Sequence, residues 1–225
     1  MVDRLVVAVD TSSAVVGLAV GSASRCAVRQ SRQRRGTEAV LLRWLDECLE
    51  ELDVVQPEVV GVACVCGPGA FTGLRVGLAT AGGLAMGWDV PVWGVDALLP
   101  RARCVDHERV LVALDARKER VYAAWYEGGV RVTEIEDIAP DAVACPWDGP
   151  WYMTGEGAVV YQDLWTSRGG CLVDEASSPP LRGLVRDAWV RFEEGEGTSV
   201  DRLAPLYIRK PDALTLRQRG GNSGA

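Results

Sequence analysis

Histidine is nearly missing from these 225 residues: His107 is the single one. That shortage excludes a metal centre built on paired imidazoles, and a serine hydrolase lacks its parts as well, since no G-x-S-x-G elbow is present and His107, between Asp106 and Glu108, reads as a solvated surface residue. No glycine is followed by lysine, which rules out a Walker A phosphate loop. Lysine itself occurs only as Lys118 and Lys210, against 22 arginines. Long apolar runs are absent too. The longest uncharged stretch, Val59–Leu74, spans 16 residues and is broken by glycines and a proline, so it cannot cross a bilayer. No basic segment precedes the first apolar stretch, as an export signal would require. A soluble, cytoplasmic protein without membrane contact is expected.

The seven cysteines are odd in number and scattered, which argues against a disulfide framework and for free thiols in a reducing compartment. Cys64 and Cys66 form a C-x-C pair, but a strand puts both on one face and nothing nearby completes a zinc set. They read as core cysteines, with no metal and no cofactor expected. Net charge is −7, concentrated in residues 106–205, and the pI is about 4.9. An autonomous nucleic-acid binder carries the opposite footprint, so contact with RNA is expected only through a partner. One basic run stands out: Arg25, Arg29, Arg32, Arg34 and Arg35, with no acid between them. A solvated strand-and-loop face is its plain reading, and a contribution to RNA or to an acidic partner the sharper one.

Leu5–Val9 and Val15–Val20 read as strands around a polar turn, Asp10-Thr11-Ser12-Ser13, with a third strand near Cys26–Gln30. Apolar residues at 41, 45, 48 and 52 predict a helix over Thr37–Leu52, with Thr37 as cap and Glu38 in its first turn. Val59–Val65 reads as a buried strand, Phe71–Met86 as a helix of small residues, Pro91–Val95 as a strand and 96–104 as a short helix. The opening then returns: Leu5-Val-Val-Ala-Val-Asp10 is echoed by Val110-Leu-Val-Ala-Leu-Asp115. A repeat at half the chain length predicts duplication of one α/β unit. Strands at Val121–Tyr126 and, after a Gly128-Gly129 turn, Val130–Ile135 follow. Next come a strand at Trp151–Thr154, a helix near Ala158–Trp165, a strand near Cys171–Val173 and a helix over Pro180–Glu193. Two lobes, 1–105 and 106–205, are expected, with a tail at 206–225 too polar and glycine-rich beyond Leu214 to pack. Such a doubled βββαβα-type unit with hairpins around an aspartate describes the actin-like ATPase (ASKHA) fold, which does not by itself license an activity.

The sharpest segment is Gly67-Pro68-Gly69-Ala70-Phe71-Thr72-Gly73-Leu74-Arg75-Val76-Gly77. Backbone N–H groups between a buried strand and a helix suit an anion. Gly73, Gly77, Ala81 and Ala85 also recur every fourth residue, a smooth ridge for close packing. Asp10 and Thr11 are the candidates for contacting a phosphate or magnesium if the cleft holds a nucleotide. A satisfied turn aspartate is the competing role. Asp115, the duplicate, lacks a small-residue turn after it.

Residues 67–98, GPGAFTGLRVGLATAGGLAMGWDVPVWGVDAL, resemble the signature of the TsaB (YeaZ-type) family. LVVAVDTSSAVVGLAV (5–20), VLVALDARKERVYAAWY (110–126) and LAPLYIRKPDA (203–213) resemble further blocks of that family, in the same order. Residues 127–200 match only loosely. The resemblance implies a non-catalytic subunit of the bacterial machinery that makes N6-threonylcarbamoyladenosine at position 37 of ANN-decoding tRNAs. Its implied partners are the catalytic subunit TsaD, the ATPase TsaE and, when alone, a second copy of itself. No catalytic residue is implied. The paired histidines of TsaD-like subunits fall here on Ala97 and Arg101, which do not ligate metal. The family's older glycoprotease label finds no site.

The resemblance also implies pairing through the first-lobe helices. Leu41, Trp44, Leu45, Phe71, Leu74 and Leu78 are the candidate anchors, with Gly73 and Gly77 setting helix approach. A bulky residue at either glycine is expected to break pairing and leave the monomer folded. Gly36-Thr37-Glu38 departs from the His-Ser-Glu or His-Thr often found there. The rival reading is an actin-like ATPase or small-molecule kinase using the Asp10 turn and the Gly67–Gly69 loop.

Overall fold

The computed structural model describes residues 3–33, 36–54, 57–173 and 178–209. The first lobe is a five-stranded sheet built from β1 (Asp3–Asp10), β2 (Val15–Gly21), β3 (Cys26–Arg32), β4 (Pro57–Gly67) and β5 (Val92–Asp96). Their order is β3-β2-β1-β4-β5, with β1 and β2 antiparallel and β1, β4 and β5 parallel. Between the strands run α1 (Thr37–Glu51), α2 (Phe71–Trp88) and, after β5, the short α3 (Leu99–Arg103).

The second lobe holds β6 (Arg109–Asp115), β7 (Val121–Glu127), β8 (Val130–Arg131), β9 (Glu136–Ile138), β10 (Trp151–Thr154) and β11 (Gly170–Leu172). Reversed, its order β11-β10-β6-β7-β8 reproduces that of the first sheet. An antiparallel hairpin again opens the unit, and a parallel strand again pairs with its first member. The duplication is therefore topological as well as sequential, and the fold is the actin-like one. Two short helices, α4 (Glu156–Val160) and α5 (Gln162–Thr166), stand where a single helix was expected. The expected strand Val130–Ile135 is cut to Val130–Arg131, and a separate strand follows at Glu136–Ile138. There the Thr133 hydroxyl accepts from the Trp125 N–H at 2.9 Å, replacing a ladder bond with a side chain.

Strand periodicity explains how the layers assemble. On β1, Leu5, Val7 and Val9 face α1 and α2, while Val6 and Ala8 face the opposite side. Both faces are covered, which is why the strand reads as a continuous apolar run. That second side is covered by α6 (Leu181–Glu193), whose Leu181, Leu184, Val185 and Ala188 join Val110, Val112 and Tyr126 of the other sheet in one cluster. Leu111 and Ala113 turn the other way, onto Ala158 and Trp165.

α6 also packs on β1, β2 and β4, and the chain after it runs along the first lobe before Arg209 reaches Asp137 of the second. Val92 pairs with Thr198, and the Leu206 N–H donates to the Cys66 carbonyl at 2.8 Å. Thr37 does not cap α1: Gly36 precedes the helix in a left-handed conformation, and no side chain caps it. The tail beyond Leu214, and Arg34 and Arg35 of the basic run, lie outside the described residues. Among the described residues no helix is long and apolar enough to cross a membrane.

Candidate functional site

The Asp10 turn, the Gly67–Gly77 segment and α3 converge at the C-terminal end of β1. Asp10, Thr11 and Ser12 are all buried there. One Asp10 oxygen, Oδ1, accepts from the Ser12 N–H at 2.9 Å and from its hydroxyl at 2.6 Å, the turn that aspartates favour. The other, Oδ2, lies 3.4 Å from Nη2 of Arg101, which is itself 2% exposed. Arg101 is fixed from behind, donating from Nη1 to the Ala97 carbonyl at 2.6 Å. A buried guanidinium therefore stands against the carboxylate.

The glycine segment closes the remaining space. The Thr11 hydroxyl donates to the Gly73 carbonyl at 2.8 Å, and the Ala70 N–H donates to the Ser12 carbonyl at 2.7 Å. A Cβ on Gly73 would meet the Thr11 carbonyl oxygen at 2.2 Å, and one on Gly77 the Thr11 Oγ1 at 2.2 Å. Gly69 is as tight, its Cβ falling 2.3 Å from the Ser12 carbonyl oxygen. These glycines let α2 press onto the chain's own hairpin turn. The ridge is a packing surface within the monomer.

The eight residues expected to form a partner interface divide accordingly. Leu41, Trp44, Leu45 and Leu74 are buried within the chain's own first lobe, and Gly73 and Gly77 face Thr11. The interface expectation is corrected for these six: they support the face from beneath and offer a partner little. Phe71, 37% exposed, and the half-buried Leu78 keep outward surface. Phe71 is also stacked on Tyr207, with ring centroids 5.2 Å apart, and the Arg75 guanidinium lies 3.9 Å from the Phe71 ring centroid.

The surface that α1 and α2 do present is made of other residues. Ala39 and Leu42 of α1 and Ala79, Gly83 and Met86 of α2 are exposed, Leu42 at 52% and Met86 at 71%. A Cβ at Gly83 or Gly87 would meet nothing within 4 Å. The α2 positions recur at helical spacing along one stripe.

Elsewhere the candidates separate. Asp115, at the end of β6, accepts from the Arg117 N–H at 2.8 Å and pairs with the Arg117 side chain. His107 is exposed and lies on Tyr152. Arg25 pairs with Asp3, and Arg29 with Glu47 and Glu51, so the described part of the basic run is largely neutralised. Cys64 is fully buried, its thiol pushed up by burial, and among the described residues no cluster of metal-binding side chains occurs.

Comparison with known proteins follows the same lines. The family model for TsaD, tRNA N6-adenosine threonylcarbamoyltransferase, matches residues 32–146. The tRNA threonylcarbamoyladenosine biosynthesis protein TsaB of Escherichia coli (strain K12) is 34% identical over 64% of this chain and 68% of its own length. The chain belongs to the TsaB family. TsaB of Bacillus subtilis (strain 168) is 25% identical over 92% of this chain and 95% of its own. A solved structure from Pseudomonas aeruginosa, described as similar to the peptidase YeaZ, superposes with a TM-score of 0.79 at 29% identity. It covers 92% of this chain and 100% of its own.

Two features of this TsaB-family site escaped the sequence. One is the role of Arg101, whose signal was the need of an aspartate at the end of an apolar strand for a cation. The other is the strap formed by residues 205–209, in which Tyr207 sits on α2 and Arg209 grips Asp137 of the second lobe, 2.6 and 2.8 Å away. Only the spacing of aromatic and arginine residues hinted at it.

Proposed function

We propose that this chain is a non-catalytic subunit that pairs with and activates a TsaD-type transferase, for N6-threonylcarbamoylation of adenosine 37 in ANN-decoding tRNAs. The observation that carries the reading is the outward stripe of α1 and α2, where Leu42, Met86 and the uncovered Gly83 and Gly87 lie on the surface of the fold. Large apolar side chains exposed on two neighbouring helices suit a protein–protein interface, and glycines beside them allow a partner helix to come close. The same stripe would serve a homodimer when the chain is alone, so homodimer and heterodimer compete for it. A TsaE-type ATPase joins the pair, and tRNA is reached through the complex. Activation is a population shift, in which the bound chain favours the competent form of the transferase.

The ATPase or kinase alternative is disfavoured by Arg101, which already neutralises the aspartate such an enzyme needs, and by the glycine loop packed on Ser12 and Thr11. Assay of modified adenosine in a mixture of TsaD-type and TsaE-type proteins, threonylcarbamoyl-adenylate, ATP and tRNA, with and without this chain, tests the reading. Modification that requires this chain, while the chain alone does nothing, is the expected result. Equal modification without it overturns the assignment.

A further inference from the structure

On the side of the first sheet away from α1 and α2, Arg182 and Arg186 project from successive turns of α6, both exposed. Like charges at this spacing oppose the helix, so folding gains nothing from the pair. Among the described residues neither has a carboxylate partner; Arg182 donates one N–H to the Cys26 carbonyl at 2.9 Å. Together with Arg25 and Arg103 they line an open cavity of about 430 Å³, whose wall adds Ser22 and Ser24 and no acidic residue. Arg25 and Arg103 are answered by Asp3 and Asp187, at 2.9 and 3.0 Å. Among the described residues no ion pair answers the charge of Arg182 and Arg186, on a chain whose net charge is −7.

The adjoining hollow shares Arg103 and Arg186 and extends to His107. Asp106 and Glu108 flank His107 there, so the cationic part is confined to the α6 end. His107 lies nearly parallel to Tyr152, with ring centroids 3.3 Å apart and planes 5° apart. A cationic groove that ends in an exposed, supported ring suits a phosphodiester strand with an unpaired base better than an acidic peptide, which has nothing to stack.

We propose that this groove takes the sugar–phosphate backbone of an RNA strand, with Arg182 and Arg186 on phosphates and His107 under an unpaired base. The proposal deepens the reading above, on which it rests for the choice of RNA: it gives the tRNA a direct contact on this chain. Three of the four arginines come from α3 and α6, and only Arg25 belongs to the basic run at 25–35.

The test titrates the full chain against a fluorescently labelled, unmodified tRNA transcript by anisotropy, from low salt upward. Saturable binding is expected, with log affinity falling linearly in log salt concentration. R182Q/R186Q is expected to weaken it about tenfold and to flatten the salt slope by about one unit for each phosphate left without its arginine. H107A is expected to weaken binding at unchanged slope, and R43Q, on the α1 face, to change neither. Melting temperature is read on each variant; if the double variant melts early, R186Q alone carries the test. No binding at low salt, or unchanged affinity and slope in R182Q/R186Q, overturns the proposal. Preference for poly-glutamate over tRNA through the same arginines overturns it equally. Pairing with the TsaD-type protein is scored separately, and its failure in the wild type counts against the functional reading while anisotropy still decides this one.

Discussion

The Arg101 guanidinium stands 3.4 Å from the Asp10 carboxylate, and both side chains are sealed from solvent. The pair joins the end of β1 to α3, two elements 91 residues apart in the chain. Arg101 is the counter-ion of this aspartate.

Because the pair is buried, removing one member leaves an unbalanced charge in an apolar setting, at a cost of about 3–5 kcal/mol. Arg101→Ala is expected to lower the melting temperature by roughly 10 °C in a domain of this size. Asp10→Asn combined with Arg101→Met leaves no charge behind and is expected to recover much of that stability. Thermal denaturation of the two variants measures this directly. An Arg101→Ala protein as stable as the wild type would show that the ion pair does not hold the lobe closed.

The glycines of α2 separate folding from pairing. At Gly77 a side chain collides with Thr11 Oγ1 and displaces the bond from Thr11 to the Gly73 carbonyl, so Gly77→Val is expected to cost about 3 kcal/mol of monomer stability. At Gly83 a side chain enters open space. Gly83→Glu is expected to keep the melting temperature within a few degrees while abolishing association with the TsaD-type partner and with itself. Melting curves beside sedimentation profiles distinguish the two variants. A Gly83→Glu chain that still pairs with wild-type affinity moves the interface elsewhere.

Much of this architecture was legible in the sequence because strands buried on both faces announce themselves as unbroken apolar runs, and the repeat of Leu5–Asp10 at Val110–Asp115 announced the duplication. The path of the chain after α6 was not legible. Its return to the first lobe depends on contacts such as Leu206 with Cys66, which carry no local pattern. The sequence assigns the glycine ridge to pairing with another chain, since spacing alone cannot say whether the surface it fits belongs to a partner or to Thr11. Leu41, Trp44 and Leu45 were misplaced for a related reason. An apolar helix face predicts burial and leaves open which body does the burying.

The strap brings a pH dependence. Burial alone would raise the Asp137 carboxyl, but hydrogen bonds from Arg209 and Arg120 outweigh it and hold it below the usual carboxylate range. A carboxyl lowered by folding contributes stability above its unfolded value, near 3.9, and loses it as pH falls through the folded value. Asp137→Asn is therefore expected to be less stable than the wild type at neutral pH, with the gap closing below about pH 4. Denaturant melts across that range decide it. A gap that persists unchanged at the acid end would mean that packing, and not the ion pairs to Arg209 and Arg120, holds the strap.

The thiols give the last prediction. Burial pushes Cys48 up to about 11, and Cys64, fully enclosed, further still, so both are neutral and shielded at neutral pH. Cys104 and Cys171 are exposed. A maleimide added to the native chain is therefore expected to modify Cys171 first, Cys104 more slowly because burial raises its thiol, and to spare Cys48 and Cys64 until denaturant opens the first lobe, since the attacking species is an accessible thiolate. Mass spectrometry of the labelled chain identifies the sites. Early modification of Cys64 would place an opening between β4 and α2, where Thr11, Gly73 and Gly77 are packed, and would return that cleft to consideration as a place where ligands enter.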